Sequence, residues 1–564
     1  MATEKFKTFM NSGYYEIPKY QRGFSWEIEN INDLFNDINE ALETNSNHFI
    51  GTIVLSKNEK DEEKYYLVDG QQRVTAITMI INSLIDYLNE DDKKFYKRQY
   101  IKNEDCYKLI PQNRDKKFYF DLLENELNGT KPESKSQRLL LLINNEIKNR
   151  VENISNKKNF LKNIENLEIV KFIEKSEGDA IRIFQTVNDR GKLLSNMEKA
   201  KSLLIYFSNR YLKGKLDQSI NEKFGEIFEF FDDIKELAEK NKIKLIAGKE
   251  FNEDNIMRYH FITFSNINYD ATAEYVLEYL KNKLSGYRNN NTKKLKGFIL
   301  QYHISLYSFF KSFKNLIEKA NENEKYYKLF SILGISSTLY PLLVKLNKYD
   351  MLDKVISTNN YSLLDIIELI DVRVYKTRGT DPRSQISAFS YDIKATTKIK
   401  EIADWLIEYN KNWMTGDQFL LQLKGDIYRN QALVFMFVNL CEKIRDKKFS
   451  IDELREISEK KPTIDHILPQ TPKFSRPHYF GFNSKLDYLE YEHTLGNLTL
   501  LEERYNKHLQ NKNPTEKSNI YSRSIFDITQ KVSAKIKTVG NFTKKELAKR
   551  TNDLVEKISQ RWWC

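Results

Sequence analysis

Four of the seven histidines in the chain, His466, His478, His493 and His508, fall within one short stretch near the C-terminus. Histidine is the usual general base near neutral pH, because its imidazole titrates in that range. Such a cluster in a chain otherwise poor in histidine indicates a place for proton-transfer chemistry. We expect His478 and His508 to be surface residues, which leaves His466 and His493 for the site.

His466 lies in the segment TIDHILPQ, directly after Asp465, and the segment is typical of the end of a β-strand. His466 could activate a water molecule, and Asp465 could bind a hard divalent cation. Asn497 follows in LGNLTLL, and Asn506 comes nine residues later on a predicted helix. Asparagine oxygens suit Mg²⁺, which prefers oxygen ligands. Each residue alone is also typical of a buried histidine or a capping asparagine, but the ordered set favours metal-assisted hydrolysis of a phosphodiester.

A second group of residues lies early in the chain, in YYLVDGQQRVTAI. Gly70 stands between a predicted strand and a predicted helix, where backbone N–H groups attract anions. Gly70 allows a close approach, Arg73 can donate to two phosphate oxygens, and Thr75 can add a hydroxyl. The pattern predicts a phosphate site, although a charged first turn on a surface helix has the same composition. It is not a P-loop, because GxxxxGK[ST] occurs nowhere.

Hydrophobic spacing predicts the elements that position these residues. HFIGTIVLS and KYYLVDG are typical of strands. One helical face precedes them, formed by Ile31, Leu34, Phe35, Ile38 and Leu42. Another follows Gly70, formed by Val74, Ile77, Ile81, Leu84 and Leu88.

Further along the chain, Asn188 and Gly191 are typical of a turn between two helices. Ser195 and Glu198 predict a capping box at the start of the second. The periodicity from about 210 to about 445 is almost wholly helical. The predicted fold class is therefore α+β and predominantly helical.

Composition limits the class of protein. Hydrophobic residues make up 40% and aromatic residues 13% of the 564 residues, so packed domains are expected. The net charge of +11 suits a polyanionic partner, although Lys-rich chains from AT-rich genomes have the same charge. The sequence predicts neither a membrane helix nor a signal peptide, which favours the cytoplasm. The three cysteines predict neither a disulfide framework nor a zinc site.

The C-terminal residues DHILPQ, LGNLTLL, the following Asn506 and KNP resemble the HNH, or ββα-metal, nucleases. More narrowly, they resemble the C-terminal nuclease domain of GmrSD-type restriction proteins over about residues 410–564. The resemblance implies His466 as the general base, with Asn497 as the second catalytic-site residue, which fixes the loop that orients the histidine. It implies Asp465 and Asn506 as ligands of Mg²⁺ or Mn²⁺. It implies His493 as a phosphate contact of the DNA or as a residue that supports the site, and Lys512 as a contact to the DNA backbone.

The segments IPKYQRGFSWE, FIGTIVLS, YYLVDGQQRVTAI and IFQTVNDRGKLLS resemble the N-terminal domain of the same proteins over about residues 5–205. That domain is related to ParB-like nucleotide-binding folds. Asp189 and Gly191 would lie near its pocket. The implied nucleotide-binding residues are Gln21, Arg22, Asp69, Gly70, Gln71, Gln72, Arg73, Thr75, Asn188 and Arg190.

The two resemblances together imply three parts: a ParB-like α/β sensor domain at 1–210, a helical linker or scaffold at 211–409, and an HNH nuclease embedded in helices at 410–564. Relatives of this architecture include SspE-like and BrxU-like anti-phage nucleases. The implied function is a nucleotide-regulated, metal-dependent endonuclease that cuts or nicks foreign or modified DNA and that could also hydrolyse the nucleotide.

Two alternatives stay open at this point. One is a ParB-like, nucleotide-dependent DNA-binding regulator without nuclease activity, and the other is an HNH nuclease that acts on RNA. The sequence names neither the nucleoside triphosphate nor the DNA modification. It also leaves the oligomeric state open, although a homodimer would let two single-strand cutters make a double-strand break.

Overall fold

The computed structural model describes residues 3–18, 21–44, 48–58, 61, 63–174, 195–265, 270–287, 291–356, 361–471 and 480–562. Asn188, Asp189, Arg190, Gly191 and His478 lie outside these ranges. The chain divides into two compact units. The first comprises residues 1–233, 253–258 and 271–310, and the second comprises 234–252, 259–270 and 311–564. The predicted three-part division stays a prediction.

The first unit contains a mixed sheet of six strands in the order β1-β8-β3-β4-β2-β7. Strand β3 pairs antiparallel with β4 and parallel with β8, and the predicted strands HFIGTIVLS and KYYLVDG are confirmed as β3 and β4. Two short strands, β5 and β6, pair separately. The strand bounds are β1 Glu4–Lys5, β2 Tyr14–Glu16, β3 Phe49–Lys57, β4 Lys64–Asp69, β5 Lys102–Asn103, β6 Cys106–Tyr107, β7 Leu109–Ile110 and β8 Glu168–Glu174.

The helices that precede β8 in the chain share one core with this sheet. The predicted apolar face before β3 is confirmed for Ile31, Leu34, Phe35 and Ile38, which are buried. Ser195 and Glu198 form the predicted capping box. The helices within the first unit are α1 Phe6–Asn11, α2 Ile28–Thr44, α3 Gln71–Ile85, α4 Glu90–Tyr100, α5 Asn113–Leu123, α6 Lys135–Glu152, α7 Lys157–Asn166, α8 Asn196–Leu212 and, later in the chain, α12 Ala273–Tyr287.

Three helices have residues in both units: α9 Asp217–Lys240, α11 Glu253–Phe264 and α13 Thr292–Glu322. The second unit is built mainly from helices. They are α10 Lys244–Ala247, α14 Glu324–Tyr327, α15 Tyr340–Lys348, α16 Leu363–Ile370, α17 Arg383–Asp392, α18 Ile399–Trp413, α19 Gly416–Lys424, α20 Leu433–Arg445, α21 Ile451–Glu459, α22 Lys485–Glu492, α23 Glu503–Leu509, α24 Pro514–Tyr521, α25 Asp527–Val539 and α26 Lys544–Trp562. The described residues of this unit also form the π-helices Lys328–Leu333 and Asp371–Thr377 and the 3₁₀ turns Ser337–Leu339 and Leu495–Asn497.

Where the second unit is described, its strands β9 (Pro462–His466) and β10 (Leu498–Glu502) pair antiparallel. His466 lies opposite Leu498, and Asp465 lies opposite Thr499. Helix α23 follows β10 directly, which gives the order strand, strand, helix. The predicted strand end at His466 and the predicted helix at Asn506 are thus confirmed. So is the predominantly helical α+β class.

Candidate active site

His466 stands at the end of β9, and its side chain meets a second histidine. Its Nε2 lies 3.0 Å from Nδ1 of His493. The ring of Tyr428 lies 4.4 Å from the His466 ring, measured between centroids, and stacks on His493 at 5.2 Å. Neighbouring side chains on a strand point to opposite faces, so Asp465 faces away from this cluster. The two imidazoles and the phenol ring therefore form one small aromatic group.

Electrostatics keep His466 neutral. Burial lowers the pKa of His466 to about 3, and His493 and Lys517 add to the effect. In the close pair, one ring nitrogen donates and the other accepts. A neutral imidazole is the form that can take a proton from water.

A pocket of about 230 Å³ opens beside this pair, and His493 is the histidine that lines it. The side chain of His493 is 29% exposed, so the pair reaches solvent through this ring. Ile427 N donates to the His493 carbonyl at 3.1 Å, which fixes the loop before α20 against the site. This loop was not predicted from the sequence, where its only local sign is the polar–aromatic run GDIYRN ahead of an apolar helix. The other residues that line the pocket are Asp426, Tyr428, Arg429 and Gln470.

Asn497 is fully buried and ties the two histidine segments together. Its Oδ1 accepts from Leu468 N at 2.8 Å, and its Nδ2 donates to the Glu492 carbonyl at 2.7 Å. Ile467 N also donates to the Asn497 carbonyl at 2.7 Å. These bonds join the chain just after His466 to the chain just before His493. Asn497 thus has the geometry of a positioning residue.

The turn that holds Asn497 is itself held by the last helix. Arg550 Nη1 donates to the carbonyls of Leu495, Gly496 and Leu498 at 2.7–3.0 Å. A Cβ on Gly496 would lie 2.3 Å from the Leu547 carbonyl oxygen, so only glycine fits there. The role of Arg550 was not predicted from the sequence, because nothing near Arg550 in the chain distinguishes it from a surface arginine on an amphipathic helix.

Asp465 is buried on the other face of β9. Lys517 Nζ lies 3.1 and 3.2 Å from its two carboxylate oxygens, and the Tyr521 hydroxyl donates to one of them. Burial raises the pKa of Asp465 and lowers that of Lys517, while the attraction within the pair opposes both shifts. Lys517 also donates to the carbonyl of His466. Asp465 therefore serves as half of a buried ion pair.

The predicted metal ligands do not form a ligand set in this geometry. The Asp465 carboxylate is occupied by Lys517 and Tyr521. Asn506 uses its amide nitrogen to donate to Thr463 Oγ1 at 2.9 Å and to the Ile464 carbonyl at 3.3 Å. Within the described ranges, no three His, Cys, Asp or Glu side chains are grouped to hold a metal ion.

The other predicted residues of this domain are less central. His508 is exposed, as expected. Lys512 lies in the turn between α23 and α24 and is half-buried, and it is not part of the pocket lining. A larger cleft of about 420 Å³, lined in part by α20 and α26, contains none of the predicted site residues.

In the first unit, three predicted residues meet at the start of α3. Gly70 has φ of +88°, and its N–H is bonded at 2.7 Å to Oδ1 of Asp69. Burial raises the pKa of Asp69 to about 6, against the opposing effect of Arg73. Burial also lowers the pKa of Arg73. The Arg73 guanidinium lies against Gly51, where an added Cβ would be 2.7 Å from Nη1.

The predicted glutamines tie the preceding loop to this helix. Gln21 Nε2 donates to the Val68 carbonyl at 2.9 Å, and Gln71 Nε2 donates to Gln21 Oε1 at 3.3 Å. Gln72 donates to the Gly23 carbonyl at 3.1 Å and accepts from Ser25 N at 2.8 Å. The structure therefore brings these residues together, with Gln72 bonded to the loop backbone.

Two further predicted residues have local partners. The Thr75 hydroxyl donates to the Gln71 carbonyl at 2.8 Å, within its own helix. Arg22 Nε lies 3.8 Å from Glu198 Oε1, at the start of α8. A cavity of about 20 Å³ lies between the loop that contains Arg22 and helix α3, and this cavity is much smaller than a nucleotide. Asn188 and Arg190 lie outside the described residues.

Two family models match this chain. Residues 5–205 match the GmrSD restriction endonuclease N-terminal domain, and residues 413–557 match the GmrSD restriction endonucleases C-terminal domain. The chain belongs to the GmrSD-type, type IV restriction proteins. A search of the curated proteins gave no match.

This GmrSD-type protein is therefore a DNA endonuclease of a restriction-type defence. The histidine pair, Asn497 and the loop with Arg429 all fall inside the matched C-terminal range, and Asp69, Gly70 and Arg73 fall inside the N-terminal one. Among the described residues, no helix is long and apolar enough to cross a membrane.

Proposed function

We propose that this GmrSD-type protein is a nucleotide-regulated, metal-dependent HNH endonuclease that cuts or nicks foreign or modified DNA. The observation that carries the proposal is the neutral His466 paired with His493 beside a polar pocket. A ParB-like fold for the first domain, a ββα-metal fold around β9, β10 and α23, a cytoplasmic location and a homodimer belong to the same proposal.

The proposed reaction is hydrolysis of a phosphodiester. His493, the ring at the pocket, takes a proton from a water molecule, and the proton on its Nδ1 passes to Nε2 of His466, the base. The resulting hydroxide forms a bond to phosphorus, the bond to the leaving sugar oxygen breaks, and that oxygen takes up the proton that the pair received. Lys517 holds the carbonyl of the base and Asn497 holds the N–H of Leu468, two residues later, which keeps the base in place.

The divalent cation, Mg²⁺ or Mn²⁺, rests on the family resemblance. When bound, such a cation would neutralise the charge that develops on the phosphate. Asp465 would first have to exchange Lys517 for the cation, so the geometry lends the predicted ligand role of Asp465 no support. Cleavage with and without EDTA tests the requirement, and cleavage that persists in EDTA would remove the metal from the proposal.

The nucleotide proposal rests on the start of α3. A helix N-terminus, Gly70 and the buried Arg73 guanidinium together suit a phosphate group. Arg73→Ala should abolish nucleotide binding and any hydrolysis, while Arg98→Ala, an exposed arginine bonded to Asn103, should preserve both. Unchanged nucleotide binding in Arg73→Ala would disprove the assignment.

The experiment for the whole proposal crosses modified and unmodified DNA with each nucleoside triphosphate in the presence of Mg²⁺. Metal-dependent cleavage that changes with one nucleotide is the expected result. A protein that binds DNA without nicking it would instead be a ParB-like regulator. Cleavage of RNA in preference to DNA would favour the RNA-directed alternative.

A further inference from the structure

Two arginines come from separate segments that one hydrogen bond joins. Asn430 Nδ2 donates to Thr377 Oγ1 at 2.9 Å. Arg429 immediately precedes Asn430, and Arg378 immediately follows Thr377. Because Arg429 lines the pocket of His493, this bond brings the segment that carries Arg378 close to the candidate active site.

Arg378 lies over an indole ring. Its guanidinium carbon is 5.1 Å from the centre of the Trp413 ring, and its Nη1 donates to the Trp413 carbonyl. Trp413 is half-buried and donates from Nε1 to Gln385 Oε1 at 3.1 Å. An arginine stacked on an indole keeps its guanidinium plane oriented while its donors stay accessible.

The backbone beneath this surface is fixed from the interior. The π-helix Asp371–Thr377 ends immediately before Arg378, and π-helical turns recur at functional sites. Arg373 in that helix is fully buried and donates to the Met414 carbonyl at 2.6 Å, directly after Trp413. The segments that carry Arg378 and Trp413 are thus joined by a buried bond before any ligand arrives.

The charges of both arginines are available for a ligand. Arg378 and Arg429 are exposed, and in the described ranges no carboxylate is ion-paired with either. Nearby Arg383 differs, because it is paired with Asp381 at 2.7 Å and with Asp270 at 3.3 Å. Arg383 therefore provides a matched control with the same side chain and a neutralised charge.

We propose that Arg378, Trp413 and Arg429 form a surface, the strand-binding surface, that holds one DNA strand against the catalytic pocket. Arg429 contacts the phosphate nearest His493, and Arg378 contacts a neighbouring phosphate of the same strand. Guanidinium groups suit phosphate oxygens, and an indole beside them suits a sugar or base face. This proposal rests on the proposed function, since it places the DNA at that site.

The test is binding of a labelled DNA duplex in EDTA, measured from about 50 to about 200 mM KCl. Arg378→Ala and Arg429→Ala should each weaken binding and reduce the slope of log K against log salt by about 1. Arg378→Lys should keep the slope, because it keeps the charge, while binding more weakly than the parent. Arg383→Ala should match the parent protein in both quantities.

Binding in EDTA separates this proposal from the catalytic one. If Arg378→Ala and Arg429→Ala bind with the parent affinity and slope, the strand-binding surface is disproved, even when His466→Ala abolishes cleavage. If the two arginine variants lose binding while His466→Ala still cleaves, the surface stands and the catalytic assignment fails. The melting temperature of each variant should match that of the parent protein, which assigns the loss to DNA binding. A lowered melting temperature in both Arg378→Ala and Arg429→Ala would overturn the proposal.

Discussion

The ammonium of Lys517 lies 3.1 Å from a carboxylate oxygen of Asp465, and both side chains are almost completely buried under the strand that carries His466. The same ammonium donates to the His466 carbonyl. Lys517 thus links the residue predicted to bind metal to the backbone of the residue predicted to act as the base. In this geometry Asp465 holds Lys517, and Lys517 in turn holds the backbone of His466.

Replacing Lys517 by methionine should strongly destabilise the protein. The change leaves Asp465 as an unpaired buried charge, and breaking a buried pair in this way costs about 3–5 kcal/mol. The free energy of unfolding from urea denaturation measures the effect. Lys507→Met removes an exposed lysine paired with Glu503 and should leave stability almost unchanged. Equal stability of the two variants would contradict the structural role of Lys517.

Asn497→Ala should impair both stability and cleavage. The Leu468 N–H loses its acceptor in a buried site, which costs about 1–3 kcal/mol, and the loops of His466 and His493 lose their connection. A shift of about 1 Å at a catalytic group lowers the rate about 100-fold. Asn511→Ala, at an exposed residue bonded to Thr471, is the matched control. Parent-like cleavage by Asn497→Ala would show that the loop does not position the base.

The order of motifs in the sequence predicted the elements that carry the candidate site. The segment TIDH lies in β9, LGNL forms the turn before β10, and Asn506 lies on α23. These elements were predictable because the alternation of apolar residues and the turn preference of glycine are local properties of the sequence. The pairing of His466 with His493 was not predictable, since it is a tertiary contact between residues 27 positions apart. Arg550 and Lys517 were missed for the same reason, because their roles arise only from tertiary contacts.

The N-terminal domain shows the same limit. Ser195 and Glu198 were correctly predicted as a capping box, because two residues three positions apart on one helical turn suffice to define it. The use of Gln72 as a clamp on the loop of Gly23 was not predictable from the sequence. Long-range hydrogen bonds of this kind have no local periodicity.

Gly496→Ala should destabilise the turn that holds Asn497. The added Cβ would lie 2.3 Å from the Leu547 carbonyl oxygen and from Thr551 Oγ1, and forced overpacking costs about 1–3 kcal/mol. Gly297→Ala, in helix α13 with open space around the Cβ position, should instead stabilise by about 0.5–1 kcal/mol. Urea denaturation of both variants measures the contrast. The same sign of change in both would contradict the close approach at Gly496.

His466 should remain neutral over the physiological range. Its pKa is about 3 in the folded protein against 6.5 for a free side chain, so between these values only the unfolded state binds the proton. This contribution to stability is fully present above about pH 6.5 and is lost as the pH falls toward about 3. In NMR spectra, the ring signal that His466→Gln removes should not titrate near pH 6.5. A midpoint near that value would contradict the effect of burial.

The most direct measurement is cleavage of plasmid and phage DNA by His466→Ala with Mg²⁺ present. His466 is the neutral, buried base in this account, so the variant should lose cleavage while keeping DNA binding in EDTA and nucleotide binding. His508→Ala, at an exposed histidine on α23, should cleave like the parent protein. Cleavage by His466→Ala at the parent rate would contradict the account.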